Sequence, residues 1–356
     1  MKILYLGSSP APYQLDFWNE VKNTHSVQQI YLLKNIPIHN WEFTDQENIS
    51  FVEYDYLNFR FRNLIGLYKL AKEVFFTDFD LIIIGGSRLA YIIALVISTI
   101  KRRKAIFWLE RPIPANAFKE FIRVIYYRLL GMSVEGVFCI GKVAENYYSK
   151  FFKKSLNLPY SIRVKSIPHG DLNLEENKLN FFFLGQLIER KGIHLILDAF
   201  KNIESENINL FIAGIGSLES EVLHAVKHDR RISYLGYLND SQKQQIFNKA
   251  DIFIMPSVYD GWGVVLAEGI SNGLFTIVTT RVGAMHDICD YNNHILVELN
   301  LKSIQKAIQE CINKMHSIKK LRDSTRKNFL ETNANSIIAA NTLSKFIGAN
   351  IDIQSK

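Results

Sequence analysis

The sequence predicts an α/β protein made of two parallel sheets, each covered by helices, and three observations carry that expectation. The chain has 356 residues, more than one hydrophobic core usually supports, so two domains of about 150 to 200 residues are the natural division. Short apolar runs alternate with longer amphipathic stretches, the rhythm of βαβ units. The rhythm also restarts. KILYLGSS at 2–9 and NFFFLGQL at 180–187 both read as buried strands ending in Gly, where a doubly wound sheet opens.

Taken in order, the first half predicts strands near Lys2–Leu6, Val27–Leu33, Phe51–Tyr54, Leu81–Ile84, Ala105–Leu109, Val137–Ile140 and Val164–Ile167. The second half predicts them near Asn180–Leu184, Leu210–Ala213, Ile232–Tyr234, Ile252–Met255, Thr276–Thr279 and Ile295–Val297. The start of the chain breaks at Gly7 after five apolar residues, too few for a secretory signal. Leu89–Ile100 is twelve residues long where a spanning helix needs about twenty, so it reads as a core helix. Ser166–Asn180 is polar with a Pro-His-Gly turn and serves as a linker. The expected organisation is therefore residues 1–168 as an N-terminal Rossmann-like domain, 169–335 as a C-terminal one, and 336–356 as a helix returning to the first. Such domains facing across a cleft would present the C-terminal ends of both sheets to a ligand.

Composition excludes several classes. With 48% hydrophobic and 22% charged residues the chain is not disordered. A net charge of +7 suits phosphates, anionic lipid or nucleic acid equally. Cys139, Cys289 and Cys311 are scattered, without CxxC spacing, which points to a reduced, cytoplasmic chain.

The segment with most chemistry is YDGWGVVLAEGISNG, Tyr259–Gly273, following a buried strand and a Pro-Ser turn. Gly261 and Gly263 permit close backbone approach, and a helix starting near Gly263 aims free N–H groups of Gly263, Val264 and Val265 outward, suiting a diphosphate. Glu268 lies five residues on, about 7 to 8 Å along the helix, so Asp260 and Glu268 bracket that position. Taken alone, Asp260 could equally be a helix cap and Glu268 a solvated face. In GQLIERKG, Arg190 and Lys191 read either as a clamp on phosphate oxygens or as a solvated pair. IAGIGSLE, with Gly214, and ISYLGYLN, with Gly236, add two more glycine-marked strand ends; each is weak singly, but together they form a coherent ligand-facing rim.

The order GQLIERKG, IAGIGSLE, ISYLGYLN, YDGWGVVLAEGISNG and VGAMHDI resembles the donor domain of glycosyltransferase family 4, the retaining, group 1 enzymes of GT-B architecture. The resemblance covers residues 180–290; the first half shares its rhythm and its SSPAPY loop, which places Ser8 and Ser9 on the acceptor side. It implies that Asp260 contacts sugar hydroxyls, Glu268 the ribose, Lys191 the phosphates and Leu238 the base, with Gln186, Arg190, Gly214, Gly261 and Trp262 also lining the donor site. Asp260 stands where the family has Glu, and Gln186 where it commonly has Arg. Glu110, in AIFWLERP, falls near a family His beside the donor sugar, though a surface ion pair at a strand end is the competing reading. His169 and His286 read as turn residues.

The resemblance also implies a transferase needing neither metal nor cofactor, with a nucleotide-sugar donor, UDP-sugar by prevalence, and no firmly placed protein nucleophile. Asp78-Phe79-Asp80 resembles a metal-binding DxD but leads straight into a strand. Basic residues interleaved with aromatics at Lys101–Lys104, Phe118–Gly131 and Phe151–Lys154 suit an anionic membrane surface, or else a solvated rim over core aromatics. The first leads to a lipid-linked glycan acceptor, surface polysaccharide biosynthesis and peripheral attachment to the inner face of the cell membrane. No nucleic-acid motif accompanies these charges. A donor-binding scaffold without turnover and a nucleotide-sugar epimerase are the rival readings.

Overall fold

The computed structural model describes residues 1–33, 48–52, 61–86, 89–164, 177–290 and 292–351. Chain contacts divide it into two units, residues 1–163 with 336–356, and residues 164–335.

The first unit runs β1 (Lys2–Gly7), α1 (Pro12–Val21), β2 (Ser26–Tyr31), β3 (Ile49–Phe51), α2 (Phe61–Phe76), β4 (Leu81–Ile84), α3 (Leu89–Ile100), β5 (Lys104–Glu110), α4 (Ala117–Met132), β6 (Gly136–Ile140), α5 (Lys142–Tyr148) and β7 (Ser155–Asn157). The second runs β8 (Leu179–Leu184), a 3-10 turn at Glu189–Lys191, α6 (Ile193–Lys201), β9 (Ile208–Ala213), α7 (Glu219–His228), β10 (Ile232–Tyr234), α8 (Asp240–Lys249), β11 (Ile252–Met255), α9 (Val264–Ser271), β12 (Phe275–Val278), α10 (Met285–Ile288), β13 (His294–Leu296), α11 (Leu301–Asn313), α12 (Met315–Lys320) and α13 (Arg322–Leu330). The last helix, α14 (Ser336–Asn350), belongs to the first unit.

Among the described residues the first sheet has the order β3-β2-β1-β4-β5-β6-β7 and the second β10-β9-β8-β11-β12-β13, every pairing parallel. Strands covered on both faces must be apolar throughout, which is why LIII in β4 and IFIM in β11 are buried at every position. In each sheet the strand order reverses once, between β1 and β4 and between β8 and β11. At such a switch point the loops leaving the two strands diverge and open a crevice.

Most expected strands are found with small shifts; of Phe51–Tyr54 only Phe51 lies in a strand, β3, and Glu53 and Tyr54 lie outside the described residues. β12 and β13 each lie one residue earlier than read, and β2 ends at Tyr31. β7 was not anticipated, because Ser-Leu-Asn is short and polar; it exists through its pairing with β6. Val164 is not in a strand, and 165–176, which hold most of the linker and His169, lie outside the described residues. Leu89–Ile100 is the helix expected. No described helix is long and apolar enough to cross a membrane. α14 packs on α1: Ser344 Oγ lies 3.2 Å from Thr24 Oγ1 and 3.1 Å from His25 Nε2. The Phe346 ring meets Phe138 at 5.3 Å.

Candidate functional site

In the second unit the loop leaving β8 carries Gly185–Lys191 and the loop leaving β11 carries Pro256–Gly263, so these residues flank the switch point. Backbone hydrogen bonds join them to the loop after β12. Val258 N–H donates to the Arg190 carbonyl at 2.8 Å, Asp260 N–H to Arg281 at 3.2 Å, Gly283 N–H to Asp260 at 3.2 Å and Ala284 N–H to Trp262 at 2.6 Å. The Thr279 hydroxyl donates to the buried Ser257 carbonyl at 2.7 Å. Three loops are thus fixed to one another before any side chain acts.

On that frame Lys191 Nζ donates to Asp260 Oδ2, although the residues lie 69 positions apart. Their side chains are only 14% and 16% exposed, so their mutual attraction is far stronger than in water. Arg190 projects outward, exposed, and its guanidinium donates to the Tyr259 carbonyl at 2.6 Å. Gln186 is half-buried and its carbonyl accepts from Ile188 N–H at 3.0 Å.

The helix α9 starts at Gly263, whose φ of +95° is the left-handed conformation only Gly adopts cheaply. A Cβ there would also sit 2.7 Å from Val282 Cγ1. No side chain caps α9 and no acid lies in its first turn, where half-buried Val264 and Val265 stand. The Asp260 carboxylate stands beside that positive end, its carbon 3.9 Å from where a Gly263 Cβ would sit. Trp262 is 1% exposed and its indole donates to Asp287 Oδ2 at 3.4 Å, so its side chain braces α10 and only its backbone can face a ligand.

The strand-end glycines form a connected rim. Gly185 N–H donates to Ala213 at 3.0 Å and Gly214 N–H to Gly236 at 2.8 Å. At Gly214, with φ +133°, a Cβ would meet the Gly185 carbonyl oxygen at 1.8 Å, so no other residue fits. Half-buried Leu238 leads into Asn239, the cap of α8.

Glu268, the other acid, is paired with a lysine that the sequence did not single out. Lys243 Nζ donates to Glu268 Oε1 at 2.6 Å and lies 3.4 Å from Asp240 Oδ1. Burial works against its charge, but the two carboxylates outweigh it and hold the ammonium above the ordinary lysine range. Lys243 and Glu268 come from different helices, and no motif in QKQQ signals the pairing.

In the first unit Ser8 and the buried Ser9 follow β1, at that sheet's own switch point. The Glu110 side chain is exposed at the end of β5, while its carbonyl accepts the Tyr148 hydroxyl at 2.9 Å. The rings of Tyr13 and Tyr160 meet at 4.7 Å. Burial raises both phenols, and the nearby Glu110 carboxylate raises them further. His286 is exposed in the short helix α10, not in a turn as read from the sequence, with Nε2 3.0 Å from the Thr280 carbonyl.

The Asp78 and Asp80 carboxylates face cations of the protein itself: Lys2 Nζ at 2.5 Å and Arg103 at 3.5 Å for Asp78, and Arg103 at 3.8 Å for Asp80, which also accepts from the Lys2 backbone N–H at 2.8 Å. The basic run 101–104 is likewise engaged internally. Lys101 Nζ donates to the Phe75 and Thr77 carbonyls at the end of α2, and Lys104 pairs with Glu135 at 2.7 Å. That cluster therefore contributes little to a basic surface, a narrowing of the sequence reading. In α4 the stripe Phe118, Phe121, Ile122, Ile125, Leu129 and Met132 is exposed, whereas Tyr127 and Phe152 are core residues.

Several known proteins resemble this chain. Residues 165–330 match the family of group 1 glycosyl transferases. The chain is 24% identical over 306 residues to the uncharacterised glycosyltransferase MJ1178 of Methanocaldococcus jannaschii, covering 81% of this chain and 84% of that protein. To the capsular polysaccharide biosynthesis glycosyltransferase CapM of Staphylococcus aureus it is 25% identical over 301 residues, covering 75% of each. A further relative, glycosyltransferase MJ1607, is 29% identical over 159 residues, 38% of this chain and 41% of that protein. Among solved structures, Anabaena HepE in complex with UDP superposes with a TM-score of 0.75 at 14% identity, over 98% of this chain and 100% of that one. WaaG, a glycosyltransferase involved in lipopolysaccharide biosynthesis, gives a TM-score of 0.67 at 14% identity, over 96% of this chain and 98% of that one. The fold is that of GT-B glycosyltransferases, and the matches support the group 1 glycosyltransferase class for this chain.

Proposed function

We propose that the second unit binds a UDP-sugar and that the chain transfers the sugar, with retention, to a lipid-linked glycan acceptor in cell-surface polysaccharide biosynthesis. The observation that carries this reading is Lys191 and Asp260 held together at the switch point beside the uncapped start of α9. A diphosphate oriented by those N–H groups would draw Lys191 toward its oxygens and leave the Asp260 carboxylate to accept from sugar hydroxyls. As the bond from the anomeric carbon to the β-phosphate breaks, negative charge grows on the leaving oxygen. Lys191 and the helix end stabilise that charge from fixed positions, which is how preorganised electrostatics lowers a barrier. The acceptor hydroxyl attacks on the face the phosphate leaves, and a phosphate oxygen takes its proton. Gln186, Arg190 and the Gly261–Val265 backbone complete the phosphate side; Gly214 and Leu238 line the nucleoside side, and Glu268 holds the ribose. Ser8 and Ser9 are assigned to the acceptor side, and Glu110 to the position beside the donor sugar.

We also propose that the exposed stripe of α4, flanked by exposed Lys119 and Arg128, seats the enzyme on an anionic membrane at its cytoplasmic face. Relatives named for capsule and lipopolysaccharide biosynthesis favour an acceptor of this kind. The test is nucleotide release from UDP-, GDP- and ADP-sugars, with the anomeric configuration of the product read by NMR. UDP release that survives EDTA, giving a product of the donor's configuration, is expected. Donor binding without release would make the chain a scaffold, and an altered free nucleotide-sugar would make it an epimerase.

A further inference from the structure

We infer that Lys243 is a positioning residue for the nucleoside half of the donor, acting through Glu268; this rests on the reading of Glu268 as the ribose partner. The local structure leaves Lys243 little freedom. Its helix opens with a reciprocal cap, Gln242 N–H donating to Asn239 Oδ1 at 2.9 Å and Asn239 N–H to Gln242 Oε1 at 3.0 Å. Lys243 N–H then donates to the Asn239 carbonyl at 2.8 Å. The loop entering this cap, Gly236–Leu238, is the one assigned to the base.

From that fixed start the Lys243 side chain crosses to α9 and meets one oxygen of Glu268 at 2.6 Å. The other carboxylate oxygen has no partner among the described residues, so it is the one that can accept from a ribose hydroxyl. Both side chains are about four-fifths covered, at 22% and 21% exposure, so the pair is held in a medium that strengthens its attraction.

A purely structural tie between the helices does not account for the charge. The neutral bond from Gln244 Nε2 to Asn272 Oδ1, at 2.6 Å, already joins α8 to α9 one residue on. Desolvating an ion pair for the same purpose is a poor route to stability. What the ion pair adds is a fixed rotamer for Glu268. The base loop and the ribose carboxylate are thereby joined in one rigid piece, and the ordering that a bound nucleoside would otherwise impose is already complete.

The test compares Lys243→Met, Lys243→Arg and Glu268→Gln with the wild type, by calorimetric titration of UDP and of inorganic pyrophosphate and by steady-state kinetics. Lys243→Met is expected to weaken UDP by about tenfold. Pyrophosphate should change by less than about twofold, because the diphosphate contacts are untouched. KM for the donor should rise with kcat nearly unchanged, and Lys243→Arg should restore most of the affinity. Placed on Glu268→Gln, Lys243→Met should add little. Wild-type UDP affinity in Lys243→Met beside a weakened Glu268→Gln would overturn the inference and leave the ribose reading intact. Wild-type affinity in Glu268→Gln would overturn the ribose reading itself. Equal losses for UDP and pyrophosphate in Lys243→Met would reduce Lys243 to a general prop of the fold and overturn the inference too.

Discussion

The two sheets share one strand order through their first six strands, yet the loops at their switch points have opposite character. After β8 and β11 stand a lysine, an aspartate and an uncapped helix, stitched together by backbone hydrogen bonds. After β1 and β4 stand two serines and a set of aromatic rings. The Tyr5 hydroxyl lies under Gly7 and Gly85, and the Tyr91 ring under Gly86. Outer surfaces differ as well: exposed large apolar side chains gather on α2, α3 and α4 of the first unit, and lie scattered in the second. The lesson is that a doubly wound sheet supplies a crevice and nothing more. Which chemistry the crevice performs depends on the few side chains its loops deliver.

The sharpest way to break this contrast is Lys191→Ala. Transfer should fall by about 10² to 10³-fold, the scale of losing one preorganised charge in an active site. Thermal unfolding must be followed alongside, because Asp260 loses its partner in a covered position; turnover within threefold of wild type would remove Lys191 from the mechanism. Next comes the outer surface of the first unit. The double substitution Phe121→Glu and Leu129→Glu, at side chains 63% and 56% exposed, should abolish cosedimentation with vesicles containing phosphatidylglycerol while leaving UDP affinity unchanged. Binding that persists would show that α4 is not the docking face.

Gly214→Ala addresses the rim. With a carbonyl oxygen 1.8 Å from the added methyl and φ at +133°, a stability loss of about 1 to 3 kcal/mol and weakened UDP binding are expected from denaturant titration. The smallest effect concerns His25, where α14 rests on α1. Burial, with the N-terminal ammonium, lowers its folded pKa below the ordinary 6.5. The unfolded chain therefore takes up the proton first as pH falls below 6.5, and stability declines from there down to the folded value. His25→Gln should flatten that part of the stability-pH curve by less than about 1 kcal/mol, and an unaltered curve would assign it elsewhere.

Much of this was legible in one dimension, and the reason is periodicity. β4 and β11 match the expected limits because a strand buried on both faces has to be an unbroken apolar run. β7 escaped because its three residues carry no apolar pattern. Gly214 and Gly263 announced themselves because a missing Cβ is a local requirement that a sequence displays. Lys243 did not, since a lysine on a polar helix looks the same whether it faces water or a carboxylate 25 residues away. The run Lys101–Lys104 misled in the opposite sense, showing four charges of which three are engaged within the unit.

By itself, then, the sequence determined the two parallel sheets, the strand-end glycines, the start of α9 and the residues gathered around it, because each follows from constraints acting within a few positions. Tertiary structure alone decided which charges meet: Lys191 with Asp260, Lys243 with Glu268, Arg190 with the Tyr259 carbonyl. It also turned Trp262 inward and the stripe of α4 outward. Ion pairing and burial depend on distances between elements remote in the chain, and those distances exist only once the sheets have brought their loops together.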